Sequence, residues 1–350
     1  MRAGILKLRQ EESYKEFINS HPDATIHHTL EWRDVIQTAF GHRPFYIVAY
    51  EGKDIVGALP LFEVNAAFDR KRLVSVPYCY FVKVLYKDDK SLLAMLDFAK
   101  KIADSRDCMY LEIRHGYDLP EIPDFKRHEH FIRSTVDLSV PIDEVWKKFR
   151  KSAKEATKKA RRSGLEIIRA KNLQHYRIHY RLALETRKKL GLPAFPYELF
   201  KSIYYILHTS GKAKLYMAFF KDQFITAELV LYHNKTATAA IVGSKENREI
   251  YRLRPQNLII WTEIQEAHEM GHKIFDFGVT PPDNEGLLFF KSNWGSQNKT
   301  MSYYYFMRKN LEIPIVDTNE PKIQLGCSIL RKMPLMVNRV IGPLLLKQFD

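Results

Sequence analysis

The residues best suited to chemistry fall in one segment, residues 276–295, which reads DFGVTPPDNEGLLFFKSNWG. A strand is predicted to end near Asp276, a polar loop containing Asp283 follows, and Lys291 comes directly after two phenylalanines. Loops beyond the carboxyl ends of sheet strands are where α/β proteins bind ligands. A lysine beside aromatic side chains can hold a carbonyl oxyanion or a phosphate. The alternative interpretation is a hairpin-like loop with packed aromatic residues and a lysine in solvent.

The orientation of Lys291 can be predicted if this segment is extended. Side chains of an extended chain alternate between two faces, so Lys291 would share a face with Phe289 and one of the two phenylalanines would be buried. A structural lysine extends its ammonium group into water, whereas a catalytic one is held near the reacting carbonyl. The position of this side chain therefore distinguishes the two interpretations.

A second feature is a concentration of positive charge. The chain has 55 Lys and Arg residues against 41 Asp and Glu residues, which gives a net charge of +14. Residues 147–162 carry nine of these cations and a single acid, Glu155. A partner with phosphates fits this pattern: a nucleic acid, a nucleotide-linked substrate or an anionic membrane surface. A helix face that is merely solvated fits it equally well.

Residues 268–272, HEMGH, match the HExxH pattern of zinc hydrolases. In those enzymes two histidines one helical turn apart bind the metal, and the glutamate is the general base. Here Gly271 lies inside the motif and a strand is predicted from Lys273, so His272 would lie at the end of a helix. The helix dipole favours a histidine there. We therefore expect no metal at this motif.

Other motifs that would bind a cofactor are missing from the sequence. Cys79, Cys108 and Cys327 are far apart and form no CxxC pair, which argues against a disulfide framework and a thiolate zinc site. The sequence has no GxGxxG fingerprint and no P-loop lysine, which argues against dinucleotide and P-loop nucleotide binding. We expect no tightly bound cofactor.

The elements that must position these residues alternate between strands and helices. The first set comprises strands at 45–50, 55–64 and 109–113 and a helix at 91–104. The second set comprises strands at 214–220, 224–232, 236–242 and 273–277 and a helix at about 257–270. A shift of 170 residues aligns the first strand of one set with that of the other. The pattern predicts an α/β (α+β) protein with two related domains in tandem.

Domain boundaries follow from the same pattern. We predict an N-terminal domain over 1–140, a C-terminal domain over 141–318 and a helical tail over 319–350. Pro141 marks the first boundary because proline cannot continue a central strand, and a basic helix that ends before Gly164 begins just after it. In the tail, Pro334 and Pro343 interrupt any long amphipathic helix, so packing is favoured over a membrane-interface role.

Length and composition are those of an ordinary globular protein. The chain has 350 residues, of which 45% are hydrophobic and 27% are charged. These values fit about two domains and exclude a disordered or fibrous chain. No apolar run approaches the ~18–20 residues that span a bilayer, and the N-terminus does not have the pattern of a secretory signal. We expect a cytoplasmic protein and leave peripheral attachment to the membrane open.

Several short motifs follow one another along the chain. They are EW at 31–32, IVGALPL at 55–61, VPY at 76–78, RRSG at 161–164, DFG followed by GLLFFKSNWG at 276–295, and MPL followed by IGPL at 333–344. Their order resembles the FemA/FemB/FemX peptidyltransferase family, and more closely the compact FemAB-like branch of the GNAT acyltransferase superfamily. The resemblance covers nearly the whole chain. It implies tandem GNAT-like domains, each with a mixed, mainly antiparallel central sheet flanked by helices.

This resemblance also implies transfer of an acyl or aminoacyl group to an amine. The co-substrate would be acyl-CoA or aminoacyl-tRNA, and the acceptor would be anionic, such as a peptidoglycan precursor of the cell envelope. The long helical arm of FemA-type proteins has no counterpart here, so tRNA as a partner stays open. The glycine-rich acyl-CoA loop is missing as well. The corresponding stretch instead carries four cations that could bind phosphates ahead of a helix: Lys245, Arg248, Arg252 and Arg254.

We assign roles on this basis. Lys291 is expected beside the developing negative charge, and Asp276, Asp283 and Glu228 are base candidates in no fixed order. Arg252 and Arg254 would meet the phosphates of the donor. The remaining residues expected to contact substrate are Arg150, Lys154, Lys158 and Arg161 on the basic helix and Tyr78, Tyr80 and Phe290 around the acceptor.

Two other functions stay open at this point. A non-catalytic protein that binds nucleic acid or anionic lipid through the basic helix would bind with a steep dependence on salt and would consume no acyl donor. A zinc hydrolase built on HExxH would contain a metal ion, which a metal analysis would detect.

Overall fold

The computed structural model describes residues 1–65, 71–308, 311–314 and 320–349. Each strand predicted from the sequence is present within a few residues of its predicted bounds. In chain order the strands are β1 Arg2–Ile5, β2 Arg43–Glu51, β3 Asp54–Asn65, β4 Lys71–Val74, β5 Leu85–Tyr86, β6 Tyr110–Ile113, β7 Phe125–Asp137, β8 Glu166–Arg169, β9 Ala213–Phe220, β10 Gln223–His233, β11 Thr236–Ser244, β12 Ile274–Thr280 and β13 Gln297–Met307.

Both helices predicted between the strands are present as well, as α3 and α9. The helices of the described residues are α1 Glu11–Ser20, α2 Leu30–Phe40, α3 Asp89–Ser105, α4 Ile142–Lys148, α5 Lys151–Arg162, α6 Leu173–Leu190, α7 Tyr197–Ser202, α8 Arg248–Leu253, α9 Pro255–Glu269, α10 Glu285–Ser292, α11 Pro321–Lys332 and α12 Leu335–Phe349. None of them combines the length and the apolar composition that a bilayer-spanning helix needs.

The chain divides into two compact units. The first comprises the described residues within 1–132 and 300–315, and the second those within 133–299 and 316–349. Strands β7 and β13 contribute residues to both units. That each unit corresponds to one GNAT-like domain stays a prediction. The predicted boundary between residues 318 and 319 lies outside the described residues.

The first unit is built on a mainly antiparallel sheet in the order β1-β2-β3-β4-β6-β13. Only β4 and β6 pair in parallel among these strands. Helix α3 packs on β1, β2 and β3. Its apolar side, which includes Leu92, Leu96 and Ala99, is buried against Ile47 and Leu59 of the sheet, as the helical spacing of these residues requires.

The sheet of the second unit has the order β12-β11-β10-β9-β8. Its strands are antiparallel except for the β11–β12 pair. Leu229 pairs with Ile241 and Val230 with Ala239, so Ala240 is an extra residue that forms a β-bulge in β11. Helix α9 packs over β9 and β10, and α5 packs on α9. The prediction of a mixed, mainly antiparallel sheet flanked by helices is thus confirmed.

The basic segment differs from its prediction as one continuous helix. It forms two helices, α4 and α5, because Phe149 and Arg150 between them have extended backbone angles. Phe149 is buried against Trp261 and Trp294, and this packing places a bend where the local pattern alone favours a helix. Helix α5 ends as predicted before Gly164, which has a φ of +75°.

The prediction that Lys291 shares a face with Phe289 is wrong. Residues 285–292 form helix α10 rather than an extended segment. On the helix, Lys291 is buried and Phe289 is 59% exposed, because positions two residues apart point in nearly opposite directions on a helix. The side chain of Asn284 accepts a hydrogen bond from the Leu287 N–H at 3.1 Å and caps the helix.

Trp294 follows α10 and is completely buried in the core of the second unit, between Phe149 and Phe277. We expect Trp294→Ala to lower the free energy of unfolding by about 3–5 kcal/mol, because it leaves a large cavity. Chemical denaturation measures the change. Phe289→Ala is the matched control, since its ring is largely exposed, and should change stability by less than about 1 kcal/mol. An equal loss in both variants would contradict this assignment of the core.

Candidate active site

Lys291 lies in the last turn of α10 with only 5% of its surface exposed. Its Nζ donates hydrogen bonds to the backbone carbonyls of Gly278 at 3.1 Å and Val279 at 3.2 Å. Gly278 has a φ of +69°, a conformation that glycine adopts without strain. Helix α10 therefore places the ammonium group of Lys291 at the end of β12, where two backbone carbonyls accept its hydrogen bonds.

Asp276 is one of the two acids that act on this lysine. It is buried on β12, and its carboxylate accepts hydrogen bonds from Arg133 Nε at 2.9 Å and Nη2 at 2.7 Å. It also accepts one from the N–H of Gly278 at 2.8 Å. With these donors in place, Asp276 is better suited to anchor the end of β12 than to remove a proton from a substrate.

Glu228 is the second acid. It lies on β10 with 7% of its surface exposed, and it accepts a hydrogen bond from the side-chain amide of Gln256 in the first turn of α9. It has no arginine partner of the kind that holds Asp276. Its role as a base stays a prediction.

The protonation of this pair is set mainly by burial. Burial lowers the pKa of Lys291 to about 8, although the charges of Asp276 and Glu228 act to raise it. Burial raises the pKa of Glu228 to about 7, and the hydrogen bond from Gln256 and the charge of Lys291 oppose that rise. Both groups therefore titrate close to neutral pH, where acid–base catalysis is most effective.

A third acid, Glu263, lies on α9 beside Glu228 and is completely buried. Its pKa is raised well above the ordinary value by burial and by the negative charges of Glu228 and Glu266. Two carboxyl groups this close in a dry environment do not both ionise near neutral pH. Glu263 therefore keeps its proton, and the pair carries at most one negative charge.

The second unit also contains a cleft with a volume of 350 Å³. It is lined by α5, α9 and α10, with Lys159 and Arg254 as cations, Asn257 in the first turn of α9 and Phe290 as an aromatic wall. Arg254 precedes α9 with a φ of +61°. Two predicted substrate-binding residues, Arg254 and Phe290, thus lie in one cleft.

The other cations predicted to meet substrate do not line this cleft. Arg150 lies over the ring of Phe289 at 5.3 Å. Lys154 donates to the carbonyl of Lys147, and Lys158 pairs with Glu155 at 3.1 Å. Arg161 and Arg252 are exposed.

Asp283, Tyr78 and Tyr80 are the remaining residues that were predicted to act on substrate. Asp283 is exposed in the loop before α10 and is not among the charges that act on Lys291. Tyr78 and Tyr80 belong to the first unit, where Tyr78 stacks on Phe40 and hydrogen-bonds to His42. Their predicted role around the acceptor stays a prediction.

Sequence reasoning missed Arg133, Gln256 and Glu263. Arg133 is distant in sequence from Asp276, and no local pattern links a residue on β7 to one on β12. Gln256 and Glu263 are seven residues apart on α9, which places them on one face of the helix. The usable signal was Glu263 itself, an acid among the apolar residues of a helix that is buried along much of its length.

The HExxH motif has the geometry of a helix end. Helix α9 stops at Glu269, and Gly271 has a φ of +84°. The ring nitrogens of His268 and His272 hydrogen-bond to the carbonyl oxygens of Val140 and Asn234, at 3.0 and 2.9 Å. In the described residues, no three His, Cys, Asp or Glu side chains come together as metal ligands would.

The region that contains the lysine site matches a known protein family. Residues 147–291 match the family model described as an acetyltransferase (GNAT) domain. The chain carries a GNAT domain. That match ends at Lys291 and contains Asp276, Glu228, Gln256 and all the residues that line the cleft except Asn293.

The fold of the whole chain is similar to that of several solved structures. The crystal structure of FemX has a TM-score of 0.72 at 14% identity, covering 93% of this chain and 99% of FemX. The structure of L-PGS from Bacillus licheniformis has a TM-score of 0.57 at 14% identity, covering 97% of this chain and 98% of that one. A tandem GNAT protein from the clavulanic acid biosynthesis pathway has a TM-score of 0.54 at 11% identity, covering 89% of this chain and 99% of that one.

No curated protein matches the chain in a sequence comparison. The resemblance to FemX-type proteins is confirmed at the level of the fold, and the GNAT domain confirms the prediction of an acyltransferase. Acyl transfer is therefore the reaction class that the GNAT domain indicates.

The raised pKa of Glu263 predicts how stability depends on pH. Because the folded state keeps a proton that the unfolded state loses above the ordinary carboxyl pKa of 4.5, the stability of the native protein falls as pH rises from that value. Glu263→Gln removes this loss. We expect the variant to be more stable than the native protein at pH 8, and its advantage at pH 5 to be smaller.

Chemical denaturation at pH 5 and pH 8 measures this difference. Glu266→Gln is the control on the same helix. Burial raises the pKa of Glu266, but hydrogen bonds from Arg169 and Tyr216 outweigh burial and leave it lowered. This control should therefore lose stability at pH 8. A Glu263→Gln variant that is less stable than the native protein at pH 8 would show that Glu263 is ionised and paired.

Proposed function

We propose that the GNAT domain transfers an acyl or aminoacyl group from acyl-CoA or aminoacyl-tRNA to an amine of an anionic cell-envelope precursor. The observation that carries the proposal is the buried ammonium group of Lys291, held at the end of β12 with Glu228 close to it. The names of two similar structures, FemX and L-PGS, support an acceptor from the cell envelope.

The proposed reaction is a direct displacement. The neutral amine attacks the carbonyl carbon of the donor, a C–N bond forms, and the C–S bond of a thioester or the C–O bond of an ester breaks. The proton of the attacking amine passes to Glu228, and the leaving thiolate or alkoxide takes up a proton. Glu228 suits this role because its pKa of about 7 lets it hold and release a proton near neutral pH.

Lys291 would stabilise the oxyanion that forms during the attack. An ammonium group has three N–H donors, and the carbonyls of Gly278 and Val279 take two of them. The third is then available to a substrate oxygen. A positive charge that is already fixed in a dry environment stabilises the transition state without rearranging solvent.

The cleft beside α9 is the proposed site of the donor phosphates. It combines the N-terminal turn of α9 with Lys159 and Arg254, and helix N-termini attract anions. Arg254 adopts a left-handed conformation that a glycine would adopt at lower cost. An arginine in this position is consistent with a need for its charge, which would replace the backbone of a glycine-rich loop.

An assay for donor consumption tests the proposal. Purified protein is incubated with acyl-CoA or with aminoacyl-tRNA, each with and without a peptidoglycan-precursor amine, and thiol release or tRNA deacylation is measured. Acceptor-dependent consumption of one donor is expected. Glu228→Gln should reduce it, because an amide cannot accept the proton. Failure of every donor would favour the alternative of a non-catalytic binding protein.

Lys291→Met is expected to lower turnover by about 10²–10³-fold, as the loss of an oxyanion donor does in other enzymes. The native pH profile should be bell-shaped: activity rises as Glu228 loses its proton near pH 7 and falls as Lys291 loses its proton near pH 8. The alkaline limb should be absent from the variant. Steady-state rates between pH 5.5 and 9.5 measure both effects.

Lys299→Met is the matched control, because Lys299 is exposed on β13 of the same unit. It should leave both turnover and the pH profile unchanged. Native turnover in Lys291→Met would contradict the catalytic role. A loss of the cooperative unfolding transition would instead assign the lysine to the structure of the β12–α10 turn.

The basic helix α5 is proposed to contact the anionic acceptor or tRNA. We expect Lys154→Glu with Lys158→Glu to weaken binding of tRNA or of a nucleotide-linked precursor by at least about tenfold at 50 mM salt, because two phosphate contacts become repulsive. Stability should change by less than about 1 kcal/mol, since Lys158 is largely exposed and the half-buried Lys154 donates only to a backbone carbonyl at the surface. Unchanged binding would leave α5 as a solvated face.

A further inference from the structure

Helix α12 is fixed to the second unit along one side. Asn338, Gly342 and Leu346, spaced four residues apart, are buried. The side chain of Asn338 accepts a hydrogen bond from the Ala194 N–H at 3.1 Å, and a Cβ added at Gly342 would lie 2.4 Å from the same nitrogen. This close approach shows that the inner side of α12 packs tightly against the loop after α6.

The opposite side of α12 is apolar and exposed. Met336, Val340 and Leu344 are also spaced four residues apart, and they are 67%, 68% and 64% exposed. They are offset by two residues from the buried set, which on an α-helix is a rotation of about 200°. An amphipathic helix of a globular protein turns its apolar side to the core, so this outward apolar stripe is unexplained by packing within the unit.

Other exposed apolar residues lie on α11 and at the end of α6. On α11, Leu325 and Ile329 are 63% and 52% exposed. The backbone of Gly191 lies against the carbonyl of Cys327 on α11, which places the 52% exposed Leu190 beside that helix. Isolated exposed apolar residues are common on protein surfaces, whereas several of them on α6 and on the two helices that pack on it mark a candidate site of interaction. We call this group, Leu190, Leu325, Ile329, Met336, Val340 and Leu344, the tail surface.

The charged residues of α11 and α12 are all cations. Residues 321–349 contain no Asp or Glu. Their cations are Lys322, Arg331, Lys332, Arg339 and Lys347, of which the first four are exposed. An apolar helix face bordered by Lys and Arg is the pattern of helices that lie in the plane of a membrane surface. Anionic lipids attract such cations.

We propose that the tail surface docks on an anionic lipid bilayer. Its apolar side chains would enter the boundary between headgroups and acyl chains, and its cations would contact the lipid phosphates. A second copy of the chain is a poorer occupant, because a two-fold contact through this surface would bring two cationic rims together. The proposal is independent of the transfer reaction, since none of these residues lies in the lysine site or the cleft.

Vesicle flotation tests the proposal with three variants. The native chain should bind vesicles of phosphatidylglycerol and phosphatidylcholine at 30:70 and should bind pure phosphatidylcholine much more weakly. Met336→Gln, Val340→Gln and Leu344→Gln together should lower the partition coefficient by at least about tenfold. The matched control is Leu8→Gln, Leu93→Gln and Met270→Gln, which removes three exposed apolar side chains elsewhere and should leave binding unchanged.

A third variant separates the tail surface from the basic helix. Lys154→Glu with Lys158→Glu removes charge from α5 and should weaken binding less than the tail variant does. The proposal is overturned if the native chain does not bind the anionic vesicles, or if the α5 variant loses binding while the tail variant keeps it. It is also overturned if light scattering detects a dimer of the native chain that becomes a monomer in the tail variant without any change in vesicle binding.

The unfolding temperatures of the native chain and the tail variant show whether the substitutions disturb the fold. The three substituted side chains of the tail variant are mostly exposed, so its unfolding temperature should stay within about 3 °C of the native value. If it falls further, Arg331→Gln with Lys332→Gln provides the second variant, because both residues are exposed and neither lies at the helix-packing side. This pair should reduce binding to anionic vesicles and should not affect binding to phosphatidylcholine.

Discussion

The burial of one ammonium group is the constraint on which the rest of the GNAT domain depends. A lysine that is 95% buried must be surrounded by acceptors, since an unpaired charge in a dry environment costs several kcal/mol. Here the acceptors come from the backbone at the end of β12, which turns at Gly278, and the compensating charges come from Asp276 and Glu228. The cap at Asn284 brings α10 back over that strand.

Charge balance then determines the state of the neighbouring acids. Asp276 pairs with Arg133 and also acts on Lys291, and Glu228 supplies the second negative charge that acts on the lysine. Glu263 cannot add a further negative charge to this group, because no cation acts on its pKa while burial and two carboxylates raise it. A neutral Glu263 makes the environment of Glu228 polar without adding charge, so Glu228 can gain and lose a proton near neutral pH.

Much of the fold and part of the site were predictable from the sequence. Alternating apolar patterns located the strands and the two main helices because burial of one side imposes a period on the chain. Lys291, Asp276 and Glu228 were chosen from the sequence as catalytic candidates, and the structure brings the two acids close enough for their charges to act on the lysine. Their catalytic roles stay a prediction. The helical state of residues 285–292 was missed because eight residues give too short a period, and the decisive signal was the cap at Asn284. Arg133 and Glu263 depend on pairings across the fold that no local pattern encodes.

The charged side chains of the second unit fall into a buried group and an exposed group, and the two groups contribute differently to stability. Buried charges such as Lys291 and Asp276 are few, have fixed partners and have altered pKa values or strong ion pairs. Exposed cations on α5 and α11–α12 have weak partners or lie in solvent, so they contribute little to stability. Charges that do not stabilise the fold can still attract anions over a distance of about 10 Å. A net charge of +14 held mostly at the surface therefore suits anionic partners, while the transfer step that we propose uses the buried Lys291 and Glu228.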